Sequence, residues 1–133
     1  MGFTLHDNGS EHWQDLPPIP INGEPELVTK LREFQAREPF IAMLVAPNQD
    51  ELAIGLGGPV SFVQFTQASR MPPYLCVFNP TAPVGGDPVE FVCGGTPTPI
   101  PSYLMIPFEQ ALEVAVHFFR HGEIPKHVKW KSV

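Results

Sequence analysis

The sequence predicts an α+β fold in which an antiparallel, meander-like sheet of five or six strands carries an N-terminal and a C-terminal helix. Two amphipathic helical patterns enclose a series of short apolar segments. The loops between these segments are shorter than the dozen or more residues that a parallel crossover needs. A length of 133 residues with 43% hydrophobic content predicts one globular domain over residues 1–133.

The first helix follows a poorly patterned segment. Residues 1–20 indicate one short strand before a proline-rich stretch. Asn22 and Gly23 open the helix, and Pro25 lies in its first turn, where a missing N–H costs nothing. Pro39 ends it. Apolar residues recur at the i, i+4 and i+7 positions of one face (Leu27, Leu31, Phe34).

Strand-like segments fill the middle of the chain. Each is apolar or alternates apolar with small or polar residues, and each is bounded by glycine, proline, asparagine or aspartate. They cover residues 40–46, 51–57, 60–67, 73–79, 89–95 and 102–106. The chain contains 17 prolines, which we interpret as rigid connectors between elements. The proline-rich loops 79–88 and 94–101 are either such connectors or partner-specific contacts.

The closing helix has clear start and stop signals. Pro107 suits its first position and Glu109 its first turn, while Gly122 suits a left-handed residue at its end. Pro125 prevents continuation, so we expect Trp130 to fold back onto the helix. The buried face combines small and aromatic residues (Ala111, Leu112, Ala115, Phe118, Phe119).

The charge distribution favours a basic protein partner. The net charge is −6, and nine acids against three cations lie in residues 1–51. Nucleic-acid binding requires clustered lysine and arginine, so the composition argues against it. No apolar stretch approaches the roughly 18 residues that span a bilayer, and residues 1–16 lack the pattern of a secretion signal. We therefore expect a cytoplasmic protein that binds neither membrane nor nucleic acid.

No residue pattern nominates a reaction, a metal or a cofactor. His117 and His121 have the i, i+4 spacing of paired zinc ligands, but the intervening residues lack the glutamate of a zinc-protease helix. Cys76 and Cys93 are isolated in apolar segments, which indicates buried, reduced thiols. No phosphate-binding fingerprint or nucleophile elbow is present. The sequence thus predicts a non-enzymatic protein, with an unrecognised enzyme as a lesser alternative.

The region from Tyr103 to Trp130 resembles a known family. It combines "IPFEQALEVAVHFF", "HGEIP" and "VKW", with Ala111 and Leu112 in the helix, Gly122 and Pro125 at its stop, and a nearly terminal Trp130. These features resemble the C-terminal signature of the first-described immunity protein family of bacterial polymorphic toxin systems. The order of the preceding elements is similar as well.

This resemblance implies a non-catalytic inhibitor that binds a cognate toxin domain and blocks its active site. It further suggests a toxin of the nucleic-acid deaminase superfamily, which must present a basic surface to its substrate. A secretion chaperone or adaptor is the alternative. We predict that the toxin contacts acidic segments and one aromatic anchor, since interface hot spots favour tryptophan. The predicted contact residues are Asp7, Glu11, Trp13, Asp15, Asp50, Glu51, Asp87 and Glu90.

Overall fold

The computed structural model describes residues 2–80 and 86–133. Its two α-helices are α1 (Glu24–Gln35) and α2 (Phe108–His121). Short 3-10 helices span Trp13–Asp15 and Ser102–Leu104. The strands, numbered in chain order, are β1 (Phe3–Asp7), β2 (Ile19–Ile21), β3 (Phe40–Val45), β4 (Glu51–Leu56), β5 (Val63–Thr66), β6 (Leu75–Val77), β7 (Val89–Cys93), β8 (Thr96–Ile100) and β9 (Trp130–Ser132). The α+β class is confirmed.

The strands form one sheet in the order β2-β1-β3-β4-β5-β6-β9. All neighbours along this path are antiparallel. The hairpin β7–β8 branches from the start of β3, where Phe40 and Val92 form one parallel pair. The described residues form nine strands, whereas the sequence predicts five or six. The sequence pattern is weak for β1, β2, β8 and β9, because these strands are short or rich in polar residues and proline.

The main core lies between the sheet and the two helices. Alternate residues of β1, β3 and β4 point to this face, and the helices contribute their apolar sides. The fully buried set includes Leu5, Leu44, Leu52, Ile54, Leu27, Leu31 and Phe118. The helices also meet directly, and Arg120 donates a hydrogen bond of 2.9 Å to Glu24 at their outer surface. Helix packing on one sheet face is therefore confirmed.

The helix boundaries follow the sequence signals closely. α1 begins after Gly23 with Pro25 in its first turn, as predicted. α2 begins one residue later than predicted, because Pro107 adopts an extended conformation (ψ 148°) and precedes the helix. Gly122 has a φ of 69° and donates its N–H to the Phe118 carbonyl, which is the predicted left-handed stop. Neither helix of the described residues is long and apolar enough to cross a bilayer.

A second, smaller core covers part of the opposite sheet face. Ile41 of β3 packs there with Phe62, Phe91 and Met105. The Phe62 and Phe91 rings meet edge to face with centroids 5.1 Å apart. Gly55 of β4 makes this approach possible, since a Cβ at that position would lie 2.5 Å from the Phe62 ring. The hairpin β7–β8 is thereby fixed over one half of this face.

Two predictions about residues 94–106 are wrong. Residues 102–106 are not a strand: Ser102–Leu104 form a 3-10 helix, and Ile106 makes only an isolated bridge to Ser61. Residues 94–101 are not a loop, because Gly94 and Gly95 (φ 59° and 78°) form a two-residue turn that leads directly into β8. In the other proline-rich loop, residues 81–85 lie outside the described residues.

Several prolines lie within strands, where we predicted connectors. Pro20 belongs to β2, and Pro97 and Pro99 belong to β8. Each of these strands has a neighbour on one side only among the described residues. Cys93 and Thr96 flank the two-residue turn and form a hydrogen-bonded pair, so every second residue of β8 from Thr96 bonds to β7. The backbone nitrogens of Pro97 and Pro99, which lie between these residues, therefore face away from β7. Their missing N–H groups therefore cost no ladder hydrogen bond.

The C-terminal segment returns to the sheet, as expected. Residues Trp130–Ser132 form β9, which pairs with β6 through Val77 and Trp130. The Trp130 side chain packs against the main core, which confirms that it folds back.

Candidate functional site

One half of the second sheet face has no described element over it. The hairpin β7–β8 covers only the half around Ile41 and Gly55. The other half is the floor of a cavity of about 470 Å³, which we call the β1–β3 groove. Its lining residues are Thr4, His6, Asn8, Trp13, Met43, Val45, Gln49, Glu51 and Arg70.

The alternation of side chains along β1 and β3 determines which residues form the floor of the groove. In β1, Leu5 points into the main core, so Thr4 and His6 point the opposite way. In β3, Met43 and Val45 flank the buried Leu44, so their side chains also point into the groove. The floor is therefore half polar, from β1, and half apolar, from β3.

Trp13 forms one wall of the groove, and the β7–β8 turn supports it. Gly94 donates its N–H to the Asn8 carbonyl at 2.7 Å, and Gly95 donates to the Gly9 carbonyl at 2.8 Å. A Cβ at Gly95 would lie 2.7 Å from the Glu11 Cβ, so the two backbones are in close contact. These bonds hold the 3-10 helix that carries Trp13 at the end of β1.

Glu51 and Arg70 form the opposite wall. Arg70 Nη2 lies 3.2 Å from Glu51 Oε2, and the Glu51 side chain is only 14% exposed. Arg70 Nη1 also donates to the carbonyls of Gln49 and Gln67, each at 3.0 Å. Burial raises the pKa of the Glu51 carboxyl above its ordinary value, and the Arg70 charge acts in the opposite direction. The site thus holds a carboxylate whose charge is incompletely compensated.

Two further polar side chains of the groove lie on or beside β1. Burial lowers the pKa of His6, whose Nε2 lies 2.9 Å from Thr4 Oγ1, so the imidazole is neutral at pH 7. Asn8 is 8% exposed, and its Oδ1 has no hydrogen-bond partner among the described residues. A buried acceptor without a donor is costly and uncommon in folded proteins.

The structure brings together only some of the predicted contact residues. Trp13 and Glu51 line the groove. Glu11 and Asp15 are exposed on the segment that carries Trp13. Asp87 and Glu90 are exposed before and within β7, and neither lines the groove.

Asp7 and Asp50 have structural partners. Asp7 lies on the helix side of β1 and pairs with Arg37 at 2.8 Å. Asp50 Oδ1 accepts a hydrogen bond of 2.8 Å from the Ala68 N–H and so ties the β3–β4 turn to the loop before Arg70. These two carboxylates stabilise the elements around the groove.

Sequence reasoning missed most of the lining residues. Thr4 and His6 alternate with Leu5, a strand signal in a segment that was otherwise poorly patterned. Arg70 has no sequence signal, because its position depends on the loop between β5 and β6 folding back over β4.

The histidines on and after α2 and the two cysteines lie outside the β1–β3 groove. The rings of His117 and His121 lie 4.5 Å apart, and His127 lies 6.2 Å from His117. Among residues 2–80 and 86–133, no group of three or more metal-type side chains is arranged to hold an ion. Cys76 and Cys93 are free thiols, and burial raises the pKa of Cys76 to about 11. Cys76 is buried as expected, whereas Cys93 is only half-buried.

Comparison with known families identifies the family of the chain. The sequence model described as "Immunity protein Imm1" matches residues 22–132. The chain belongs to this family of immunity proteins. The match includes both helices and β3 to β9, and it begins just after β2. No curated protein has a significant sequence match to the chain.

Only some of the residues that line the groove lie within the segment matched by the family model. Met43, Glu51 and Arg70 lie inside the matched residues, whereas Asn8 and Trp13 lie before them. The first 21 residues therefore add a strand pair and an aromatic wall to the part of the fold that the family model describes. Immunity proteins of toxin systems generally act by binding, and the groove is a feature suited to binding.

Proposed function

We propose that this protein binds a cognate toxin domain and neutralises it by covering the toxin's active site. The observation that carries the proposal is membership of the Imm1 immunity family over residues 22–132. We further propose that the toxin has a basic substrate-binding surface, as a nucleic-acid deaminase does. The net charge of −6 supports this, because an acidic inhibitor complements a surface that binds phosphates.

Exposed apolar side chains favour the region of the groove as the contact surface. Trp13 and Leu16 are 36% and 42% exposed, and Met71, next to Arg70, is 64% exposed. Val133 is the other large apolar side chain of the described residues with comparable exposure. Three of these four lie on the two segments that bound the groove, and clustered apolar exposure is typical of interaction surfaces.

Co-expression tests this function directly. The cognate toxin is sought as the C-terminal domain of a protein encoded by an adjacent gene. The protein should restore growth of cells that express this domain. The purified protein should bind a catalytically inactive form of that folded domain at one-to-one stoichiometry. It should also inhibit the active form in proportion to the fraction bound.

Two results would contradict the proposal. Lack of protection together with lack of binding would remove the toxin as a partner. Binding only to an unfolded or secretion-signal segment of the toxin would indicate the alternative, a secretion chaperone. A mutant toxin that is inactive but folded serves as the growth control.

A further inference from the structure

The β1–β3 groove combines chemical features that select one kind of side chain. Glu51 supplies a carboxylate with a single hydrogen bond among the described residues, from Arg70. Arg70 itself is held by two backbone carbonyls as well. A second cation near Glu51 would therefore complete the compensation of a largely buried charge.

Asn8 adds a need for a hydrogen-bond donor. Within the part of the chain that the structure describes, its Oδ1 has no hydrogen-bond partner, and the residue is more than nine-tenths buried in the groove wall. The terminal amide of asparagine has a roughly two-fold torsion, so a half-turn exchanges its oxygen and nitrogen. As it stands, this oxygen is buried and has no partner among the described residues. A donor in the groove could bond it once the amide has turned.

Trp13 and the floor of the groove define the shape of the ligand. The indole lines the groove and is 36% exposed, and a planar cation stacks favourably on an aromatic ring of this kind. Met43 and Val45 offer an apolar surface for a methylene stem. A planar, cationic group with several donors at the end of an aliphatic stem is a guanidinium.

The surrounding charge favours the same ligand. Apart from Asp7, which lies on the helix side and pairs with Arg37, the described segments 4–15, 43–51 and 67–71 carry four carboxylates and one arginine. An anionic ligand would meet uncompensated repulsion there. A lysine ammonium would be attracted, but it is compact and cannot stack on Trp13 while donating in a plane to both Glu51 and Asn8.

We infer that the β1–β3 groove receives an arginine side chain of the cognate toxin, held between Trp13, Glu51 and Asn8. This rests on the proposed function. The arginine is the central anchor of the interface, and the exposed Leu16 and Met71 form part of its apolar surroundings.

The first test uses the inactive toxin domain and the full-length protein. Glu51→Gln should weaken toxin binding by at least about tenfold, as expected for loss of one partner of a desolvated charge pair. Glu33→Gln is the matched control, since it removes the same charge from an exposed position on α1. Thr4→Arg, which places a guanidinium of the protein itself in the groove, should also abolish tight binding. Both groove variants should keep the circular dichroism spectrum of the wild type.

The second test identifies the arginine. Toxin arginines are changed one at a time to lysine. The affinity of each toxin variant is then measured for the wild-type protein and for the Glu51→Gln protein. One substitution should weaken binding to the wild type by about tenfold or more and have little further effect on Glu51→Gln. Uniform small effects over all toxin arginines would overturn the inference.

The outcomes separate this inference from the proposed function. If the wild type binds and neutralises the toxin while Thr4→Arg and Glu51→Gln do so equally well, the function stands and the groove is not the arginine site. If the wild type binds no folded toxin, both proposals fail. A tenfold loss in Glu51→Gln that Glu33→Gln also shows would indicate general charge attraction and overturn the specific site.

Discussion

Trp130 donates its indole N–H to the carbonyl of Pro125 at a distance of 2.9 Å. This bond connects the last strand of the sheet to the segment that leaves α2. The indole ring also packs against the main core. The family signature at the end of the sequence therefore corresponds to one structural arrangement. The helix ends at a glycine, a proline redirects the chain, and an aromatic side chain packs the returning segment against the core.

Removing this ring should destabilise the fold. Trp130 is half-buried, so we expect Trp130→Ala to lower the free energy of unfolding by about 2–4 kcal/mol, somewhat less than for a fully buried tryptophan. Trp130→Phe keeps much of the packing and should cost about 1 kcal/mol for the lost hydrogen bond. Urea unfolding of both variants, with exposed Val133→Ala as control, measures these differences. Equal stability of Trp130→Ala and wild type would show that β9 is dispensable.

A methyl group at Gly55 should dislodge the β7–β8 hairpin. The added Cβ would lie 2.5 Å from the Phe62 ring and 2.8 Å from the Phe91 ring, both of which are buried. Overpacking of this kind costs about 1–3 kcal/mol, and we expect Gly55→Ala to be near the upper end. Gly58→Ala is the control, because its Cβ would meet nothing closer than 3.6 Å. Thermal unfolding followed by circular dichroism should show a large decrease for the first variant and little change for the second.

His6 should make stability depend on pH in the acidic range. Burial lowers its pKa in the folded state below the 6.5 of the unfolded chain. Above pH 6.5 both states are neutral and the contribution is fully present; as the pH falls through the folded pKa, it is lost. His6→Gln removes this term, so the stability of the wild type relative to the variant should fall from pH 8 to pH 5. Denaturation curves that stay equally separated over that range would contradict this role.

The acidic N-terminal segment should control the rate of toxin association. Glu11 and Asp15 are exposed beside Trp13, so Glu11→Gln with Asp15→Asn should slow association at low salt by several-fold and flatten its salt dependence. The double variant Glu33→Gln with Glu38→Gln removes the same charge elsewhere and is the control. Stopped-flow mixing with the inactive toxin measures both. Unchanged rates would mean that the toxin approaches another surface.

Asp7 should behave differently from these two acids. It pairs with Arg37 at 2.8 Å and accepts the Gly9 N–H at 2.9 Å, on the helix side of the sheet. We expect Asp7→Ala to cost about 1–2 kcal/mol of stability. Its association rate with the toxin should match that of the wild type. A slowed association with unchanged stability would instead assign Asp7 to the toxin-binding surface.

The sequence predicted those elements whose signals are local. The helix around Leu27 and Leu31 follows from apolar spacing, and the stop at Gly122 follows from glycine's access to positive φ. β8 was missed because its prolines indicate a loop unless the strand has an open side. The Gly94–Gly95 pair before it was the available hairpin signal.

The groove could be predicted only in part. Trp13 and Glu51 were selected by residue type and charge, and both line it. Asp7 has the same charge but points to the other face of the sheet, which the alternation around Leu5 would have indicated if β1 had been recognised. Thr4, Met43 and Arg70 line one cavity because β1 lies beside β3 and the loop after β5 returns over β4. Such non-sequential neighbours arise from tertiary packing, which a single sequence does not display.

The prolines in β2 and β8 have a consequence for how any partner can be recognised. An exposed sheet edge normally offers alternating N–H and C=O groups to which a foreign strand can add. In β8, the outward positions of Pro97 and Pro99 carry no N–H, and Pro20 removes one from β2. A toxin segment therefore cannot extend the sheet at these edges by main-chain pairing, and neither can a second copy of the protein. At these two edges recognition depends on side chains, whereas β9, at the other end of the sheet path, contains no proline. A toxin that docks at β2 or β8 can therefore lose its inhibitor by changing a few surface residues without altering its backbone.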